Sequence, residues 1–270
     1  MKLQNKVAWI TGGASGLGAA TACRFVQEGA RVAIYDQNEE LGQQMAARLG
    51  DRGIFIHGDV TRTADNEAAL QTILDTWGRL DVLVNSAGVG AKEGPILGEN
   101  PNLVTDFTTT ININLIGLYD CLRLAARTMV QNEPGEEGER GVIVNVSSGF
   151  YRQAMVGLGS YGASKAAVSH LTNIAALELG DMGVRVSAIA PGAFDTPILG
   201  PDRATNNAFF GLMASYPKRL GNPDEVADLI HLVVENRYIN GTTLEIHAGS
   251  CGWNNGMLGC VYQAFAAAAN

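Results

Sequence analysis

Cysteine is scarce: Cys23, Cys121, Cys251 and Cys260 are the only four in 270 residues, and no C-x-x-C pair occurs. So few thiols in a chain of this length do not make a disulfide framework, and they are expected to be buried and reduced. Basic charge is also short. Nineteen Lys and Arg face 27 Asp and Glu, for a formal net charge of −8. That balance argues against a nucleic-acid partner, which would need a basic face. No apolar run approaches the roughly 18 residues of a membrane span, so no membrane partner is expected. The opening MKLQNKVAWITGG shows neither an apolar signal region nor an Arg/Ser-rich transit segment, and a cytoplasmic location is expected. His57, His170, His231 and His247 lack metal-ligand spacing, so no metal chemistry is expected. No internal repeat and no shift in composition marks a second domain.

What is present fits small-molecule chemistry on a globular scaffold. Apolar residues make up 46% of the chain and there are 33 glycines, as many strand-to-helix turns would require. Seven short runs read as strands: KVAWIT, RVAIYD, GIFIHGD, DVLVNSAG, GVIVNVSS, VRVSAIAPG and TTLEIHAG. They are almost continuously apolar, as strands buried on both faces are. Helical patterns such as DNEAALQTILDTWG and VADLIHLVVEN lie between them. Strand alternating with helix gives right-handed βαβ units. The expectation is an α/β, single-domain Rossmann fold with a seven-stranded parallel sheet and helices on both faces. The domain is expected to span residues 1–249. Residues 250–270 form an extension in which Leu258, Val261, Tyr262, Phe265 and Ala269 make one apolar helical face, expected to pack on the domain or on a neighbouring subunit.

The first strand runs into TGGASGLGAA. Glycine in such a turn permits a tight bend, close backbone approach to a pyrophosphate, and packing of helix on strand. The helix that follows offers unpaired N–H groups and a positive dipole end. Gly12, Ser15, Gly16, Leu17 and Gly18 are therefore candidate phosphate contacts, although Gly12-x-x-x-Gly16-x-Gly18 has a wider first gap than G-x-G-x-x-G. Asp36 ends the second strand, where its carboxylate can accept from both hydroxyls of an adenosine ribose. A 2′-phosphate there would meet like charge with no Arg or Lys nearby, which favours NAD over NADP. Asp59 and Val60 end the third strand, beside the expected adenine. Asn85, Ala87 and Gly88 end the fourth and are expected to floor the nucleotide site.

Catalytic candidates follow. Tyr161 and Lys165 are four residues apart, on one face of a helix. A phenol near pKa 10 is a poor base at neutral pH; the neighbouring ammonium is expected to favour phenolate, so that Tyr161 can exchange a proton with an alcohol or ketone. Ser148, at the end of the fifth strand, can hold the substrate oxygen. Asn114 sits in a long helical stretch, where it either holds a water connecting Lys165 to solvent or marks a kink. After the sixth strand, PGAFDTP brings Pro191, Gly192 and Thr196, the last placed to bond a carboxamide. Phe150, Tyr151, Met155 and Phe194, with Ser148 and Tyr161, are the candidate substrate wall.

The succession TGGASGLG, Asp36, Asp59–Val60, NSAG, NLIG, NVSS, YGASK and PGAFDTP resembles the short-chain dehydrogenase/reductase family from about Lys6 to Gly249. The resemblance implies a nicotinamide cofactor, a catalytic tetrad of Asn114, Ser148, Tyr161 and Lys165, and a homotetramer. It implies that Tyr161 exchanges the proton, that Ser148 fixes the carbonyl oxygen, and that Lys165 binds the nicotinamide ribose and lowers the Tyr161 pKa. QNEPGEEGERGVIVN and YPKRLGNPDEVADLIHLVVENRYINGTTLEI look like the branch of type 2 3-hydroxyacyl-CoA and hydroxysteroid dehydrogenases. Two positions depart from it: Met155 stands where that branch carries Gln, and His247 where many relatives have Asp. A small-molecule secondary alcohol or ketone is the expected substrate, with acyl-CoA, steroid and aryl alcohols all open. A non-catalytic NAD(H)-sensing regulator is the alternative, which the intact tetrad argues against.

Overall fold

The computed structural model describes residues 1–250. The apolar face expected in the extension, with Cys251, Trp253 and Cys260, lies outside the described residues. The strands are β1 (Val7–Thr11), β2 (Arg31–Asp36), β3 (Gly53–His57), β4 (Val82–Asn85), β5 (Gly141–Val146), β6 (Val184–Pro191) and β7 (Thr243–Ile246). They form one seven-stranded sheet in the order β3-β2-β1-β4-β5-β6-β7, and every pairing is parallel. This is the Rossmann arrangement expected from the sequence. Parallel neighbours need crossovers, and the helices supply them: α1 (Gly16–Gln27), α2 (Glu39–Leu49), α3 (Thr63–Trp77), α4 (Leu103–Ile111), α5 (Leu118–Met129), α6 (Gly159–Leu179), α7 (Arg203–Met213) and α8 (Pro223–Glu235).

Alternation along the strands divides the core into two layers. Ala8, Ile10, Val32 and Ile34 face α1 and α8, where Phe25, Ile230 and Val233 pack. Val7, Trp9, Ala33 and Tyr35 face the opposite layer with Ile73 of α3 and Cys121 of α5. Both described cysteines are free, as expected. Cys121 is buried, but Cys23 is only partly so, because it lies at the margin of its layer. Among the described residues, no helix is long and apolar enough to cross a membrane.

The strand order reverses between β1 and β4, so the chain leaves those strand ends in opposite directions. Such a switch point opens a crevice at the carboxyl ends of the strands. Register then decides what meets there: Thr11 pairs with Asn85 and Asn85 with Asn145. Between α4 and α5 the helix does not kink simply. It widens into a six-residue π-helical turn, Asn112–Gly117, a feature that often accompanies functional sites.

Candidate active site

The glycine turn is shaped by close approach. A Cβ on Gly12 would lie 2.8 Å from Ala87 Cα, and its φ of +63° is left-handed. Gly16 has φ +54°, and a Cβ on Gly18 would fall 2.2 Å from the Gly12 carbonyl oxygen. Gly12 thus lets the turn touch the loop after β4, Gly16 supplies the left-handed bend, and Gly18 lets α1 sit on the turn. Thr11 reinforces the joint, its Oγ1 accepting from the N–H groups of Ser86 and Ala87 at 3.1 Å each. No side chain caps the start of α1. Its N-terminus is left facing a cleft lined by Gly12, Ser15, Gly16 and Leu17, with a positive dipole end toward any anion held there. Gly18 lies behind the lining.

Asp36 borders the same cleft. Its Oδ2 accepts from Ala14 N at 3.1 Å and its Oδ1 from Asn38 N at 3.0 Å, so the carboxylate is aimed before anything binds. Asp59 and Val60 also line it. Asp59 Oδ1 holds the N–H and hydroxyl of Thr61, both at 2.9 Å. Ala87, Gly88, Pro191, Gly192 and Thr196 complete this end. Asn85 does not belong with them. It is buried beneath the floor, where its Nδ2 donates to Asn145 Oδ1 at 3.0 Å. It also reaches Leu118 O at 3.5 Å, and Asn145 is its register partner on the neighbouring strand.

Ser148 follows the end of β5, and its Oγ accepts from Phe150 N at 3.3 Å. Tyr161 and Lys165 stand one turn apart on α6, facing the cleft. Ser148 bonds the Tyr161 phenol, and Lys165 Nζ sits 5.7 Å from the centroid of the Tyr161 ring while donating to Val146 O at 2.9 Å. Phe150 meets the same ring edge-on at 6.1 Å. The electrostatics differ from the expectation. Burial pushes the Tyr161 phenol up from its ordinary value, and the bond from Ser148 offsets this only in part. Burial also brings the Lys165 ammonium down to about 8. The expected lowering of Tyr161 by its lysine does not appear here; desolvation of the buried phenol prevails.

Asn114 stands behind the wall of the cleft. Its Oδ1 accepts from Val89 N at 2.8 Å, and its Nδ2 donates to Val89 O at 2.9 Å and Ser164 Oγ at 3.2 Å. Both amide hydrogens are taken by protein groups. It clamps the loop after β4 to the helix of Tyr161 and does not present itself to water. Of the expected substrate wall, Phe150, Met155 and Phe194 line the cleft. Tyr151 turns away, its hydroxyl donating to Glu245 Oε1 at 2.8 Å. Arg152 at 3.0 Å and His247 Nε2 at 3.0 Å from the other oxygen complete that group. The carboxylate at the end of β7 is a better partner for a phenol than an apolar cavity. The cleft encloses about 1260 Å³, more than the about 300–1,000 Å³ of a site for one drug-sized ligand. A dinucleotide and a second molecule fit together in such a volume.

The pattern of the short chain dehydrogenase family matches residues 6–207. The chain belongs to the short-chain dehydrogenase family. Over 247 residues it is 41% identical to the 3-hydroxyacyl-CoA dehydrogenase type-2 of Drosophila melanogaster, covering 90% of this chain and 96% of that one. Two solved structures are similar. The 3-hydroxyacyl-CoA dehydrogenase type-2 of Mycobacterium avium superposes with a TM-score of 0.87 at 34% identity, covering 94% of this chain and 98% of the other. The 3-ketoacyl-(acyl-carrier-protein) reductase of Brucella melitensis, in complex with NADH, gives 0.82 at 30% identity, covering 92% and 99%.

The cleft of this short-chain dehydrogenase also uses residues that sequence reasoning passed over. Leu199, Phe210 and Met213 line it from the segment around α7. The apolar residues of RATNNAFFGLM were the available signal. Thr11 gave a fainter one, a hydroxyl immediately before the glycine turn.

Proposed function

We propose that this chain is an NAD-dependent oxidoreductase that interconverts a bulky apolar secondary alcohol and its ketone. The observation that carries the reading is the joining of Ser148, Tyr161 and Lys165 at one wall of the cleft that the glycine turn and Asp36 border at its other end. The site suits a dinucleotide: the start of α1 faces it uncapped, and a Cβ would collide with the loop after β4 at Gly12 and with the turn itself at Gly18. Gly12, Ser15, Gly16 and Leu17 would hold the pyrophosphate, Asp36 the adenosine ribose, and Asp59 and Val60 the adenine. The chemistry such a cofactor would supply at this site is acceptance of a hydride from the alcohol carbon as NAD and donation of one to the ketone as NADH.

Each protein group then has a task. Beside the positive ring of bound NAD, ionisation of the buried Tyr161 would be favoured, so that its phenolate oxygen would accept the alcohol proton in oxidation and the neutral phenol would give it back in reduction. Ser148 Oγ accepts from Phe150 N, and its one proton, given to Tyr161 in this structure, would turn to hold the substrate oxygen. Lys165 is anchored through Val146 O and places its cation beneath the phenol, where it would also meet the nicotinamide ribose. Thr196 would meet the carboxamide. The carboxylate of Asp36, with neutral Gln37 beside it, disfavours a 2′-phosphate and so favours NAD over NADP.

The identity to 3-hydroxyacyl-CoA dehydrogenases supports 3-hydroxyacyl-CoA as the first substrate to test, and the apolar wall of Phe150, Met155 and Phe194 suits hydroxysteroids and aryl alcohols as well. A non-catalytic NAD(H) sensor has no observation in its favour. Assembly as a homotetramer belongs to this reading. It is supported by apolar residues left exposed on the helices around Asn114 and on α6, among them Ile116, Tyr119, Ile174 and Leu177. A cytoplasmic site of action also belongs to it.

NADH absorbance tests the reading, with 3-hydroxyacyl-CoAs, hydroxysteroids and aryl secondary alcohols offered in parallel with NAD and with NADP. Turnover of at least one class, faster with NAD, is the expected result. No turnover across the panel, or equal use of NADP, contradicts it.

A further inference from the structure

The loop that follows β4 returns to the start of α6 through a residue with no part in the tetrad. Glu93 is only 3% exposed. Its Oε1 accepts from Ser160 N at 2.6 Å and its Oε2 from Ser160 Oγ at 2.7 Å. Burial alone would raise this carboxyl, but the two bonds from Ser160 and the backbone around Lys92 hold it below the usual carboxylate range. It is thus an anion at the N-terminal end of α6. That end has no side-chain cap from Leu158 and no acidic residue of its own in the first turn. A charge contributed by a distant loop fills both lacks.

The arrangement on α6 gives this cap a catalytic bearing. Ser160 and Ser164 lie on one face, four residues apart, and are gripped by Glu93 and Asn114 respectively. Tyr161 and Lys165 are each one residue further on and face the cleft. Two pairs at the same spacing, offset by one residue, sit about 100° apart around the helix. The loop held by the first pair carries Val89, Gly90 and Lys92, which line the same cleft as the second pair. The backbones close up at the same place, since a Cβ on Gly157 would lie 3.6 Å from the Gly94 carbonyl carbon. The span between the Tyr161 wall and the loop wall is therefore fixed at Ser164 by Asn114 and at Ser160 by Glu93.

We propose that Glu93 is a positioning residue for Tyr161: its doubly bonded carboxylate holds the first turn of α6 against the cleft loop and so sets where the phenol meets the substrate oxygen. The proposal rests on the reading of Tyr161 as the proton-exchanging group. Glu93 touches neither substrate nor cofactor in this scheme. Its loss misplaces a reacting group while the glycine turn and Asp36 stay intact.

The test uses the full chain with Glu93→Gln, Ser160→Ala, the double variant and Tyr161→Phe, and the panel alcohol that wild type oxidises fastest. Glu93→Gln is expected to lower kcat on the order of 10- to 100-fold, as small misplacements of reacting groups do, with KM and NADH affinity unchanged. The solvent deuterium isotope effect on kcat should rise as proton transfer to Tyr161 becomes limiting. The double variant should be no slower than Glu93→Gln, because the Oγ bond that Ser160→Ala removes is one the loss of the carboxylate has already weakened. Should Glu93→Gln fail to fold, Ser160→Ala still tests the idea: it removes only the Oγ bond and should show a smaller kcat loss with the same isotope signature. Unchanged kcat in both variants beside an inactive Tyr161→Phe overturns the positioning role alone. A kcat loss that merely parallels losses of melting temperature and NADH affinity, with the isotope effect unchanged, overturns it too. A fully active Tyr161→Phe, or a wild type inert to the whole panel, overturns the underlying reading and this role with it.

Discussion

On the β1–β4 side the cleft is shaped by backbone, whereas on the β5–β7 side it is shaped by side chains carried on loops and on α7. Gly12 and Gly18 are held to their places by contacts that a single methyl group would violate, Gly16 by its left-handed φ of +54°, and Asp36 is aimed by two backbone N–H groups. Phe150, Met155 and Phe194 offer only apolar surface to the cleft. Backbone constraints leave little choice of residue and therefore identify their ligand. Apolar packing is non-directional, and substitutions of similar volume are well tolerated there. The first side speaks for a dinucleotide, and the second says little more than that the substrate is apolar and of some size.

The largest effect that would sharpen this contrast comes from Gly18→Ala. The added methyl must displace the Gly12 carbonyl, an overpacking that costs about 1–3 kcal/mol. Carried into binding, that cost would lower NADH affinity by about 5- to 150-fold, together with a lower melting temperature. Unchanged NADH binding in a titration would mean that the turn is not the phosphate cradle. Asp36→Ala should have a narrower consequence, confined to the choice of cofactor. Loss of a charged hydrogen-bond acceptor for the ribose is worth about 1.5–3 kcal/mol, so preference for NAD over NADP should narrow by about tenfold or more. Measuring kcat/KM with both cofactors checks it, and an unaltered ratio removes the ribose role. The smallest effect belongs to the other side. Met155→Ala trims an apolar wall, worth about 1–3 kcal/mol in discrimination among substrates. KM should rise for the bulkiest substrates while NADH affinity stays put. An equal change in both would dissolve the division between the two sides.

The same contrast explains what could be read in the sequence. The five inner strands were legible because strands buried on both faces are nearly unbroken apolar runs, and the partly buried edge strands β3 and β7 still carry Ile54, Phe55, Ile56, Leu244 and Ile246. The glycine turn, Asp36, and the Tyr161 and Lys165 spacing were legible because each answers to local geometry. Tyr151 was not. Its direction is set by Glu245, 94 residues away, and nothing near Tyr151 reveals that partner. Asn85 looked like a turn residue beside Ala87 and Gly88, yet sheet register delivers it to Asn145. The π-helical turn around Asn114 escaped for a related reason, since the side chain there is bound to Val89 and Ser164, both remote in sequence. The direction of the Tyr161 shift was also out of reach, because it depends on how completely the fold buries both Tyr161 and Lys165. Spacing gives proximity, but it does not give solvation.

The claim that Tyr161 is the proton-exchanging group is tested most directly by the rate of NADH formation in Tyr161→Phe beside wild type, on the panel alcohol that wild type oxidises fastest. The ring that packs against Phe150 remains, and only the hydroxyl bonded to Ser148 is lost. Turnover should fall by about 10²–10⁴-fold, the usual contribution of a general acid–base group, while NADH affinity and melting temperature hold. Turnover within a few-fold of wild type would contradict the account.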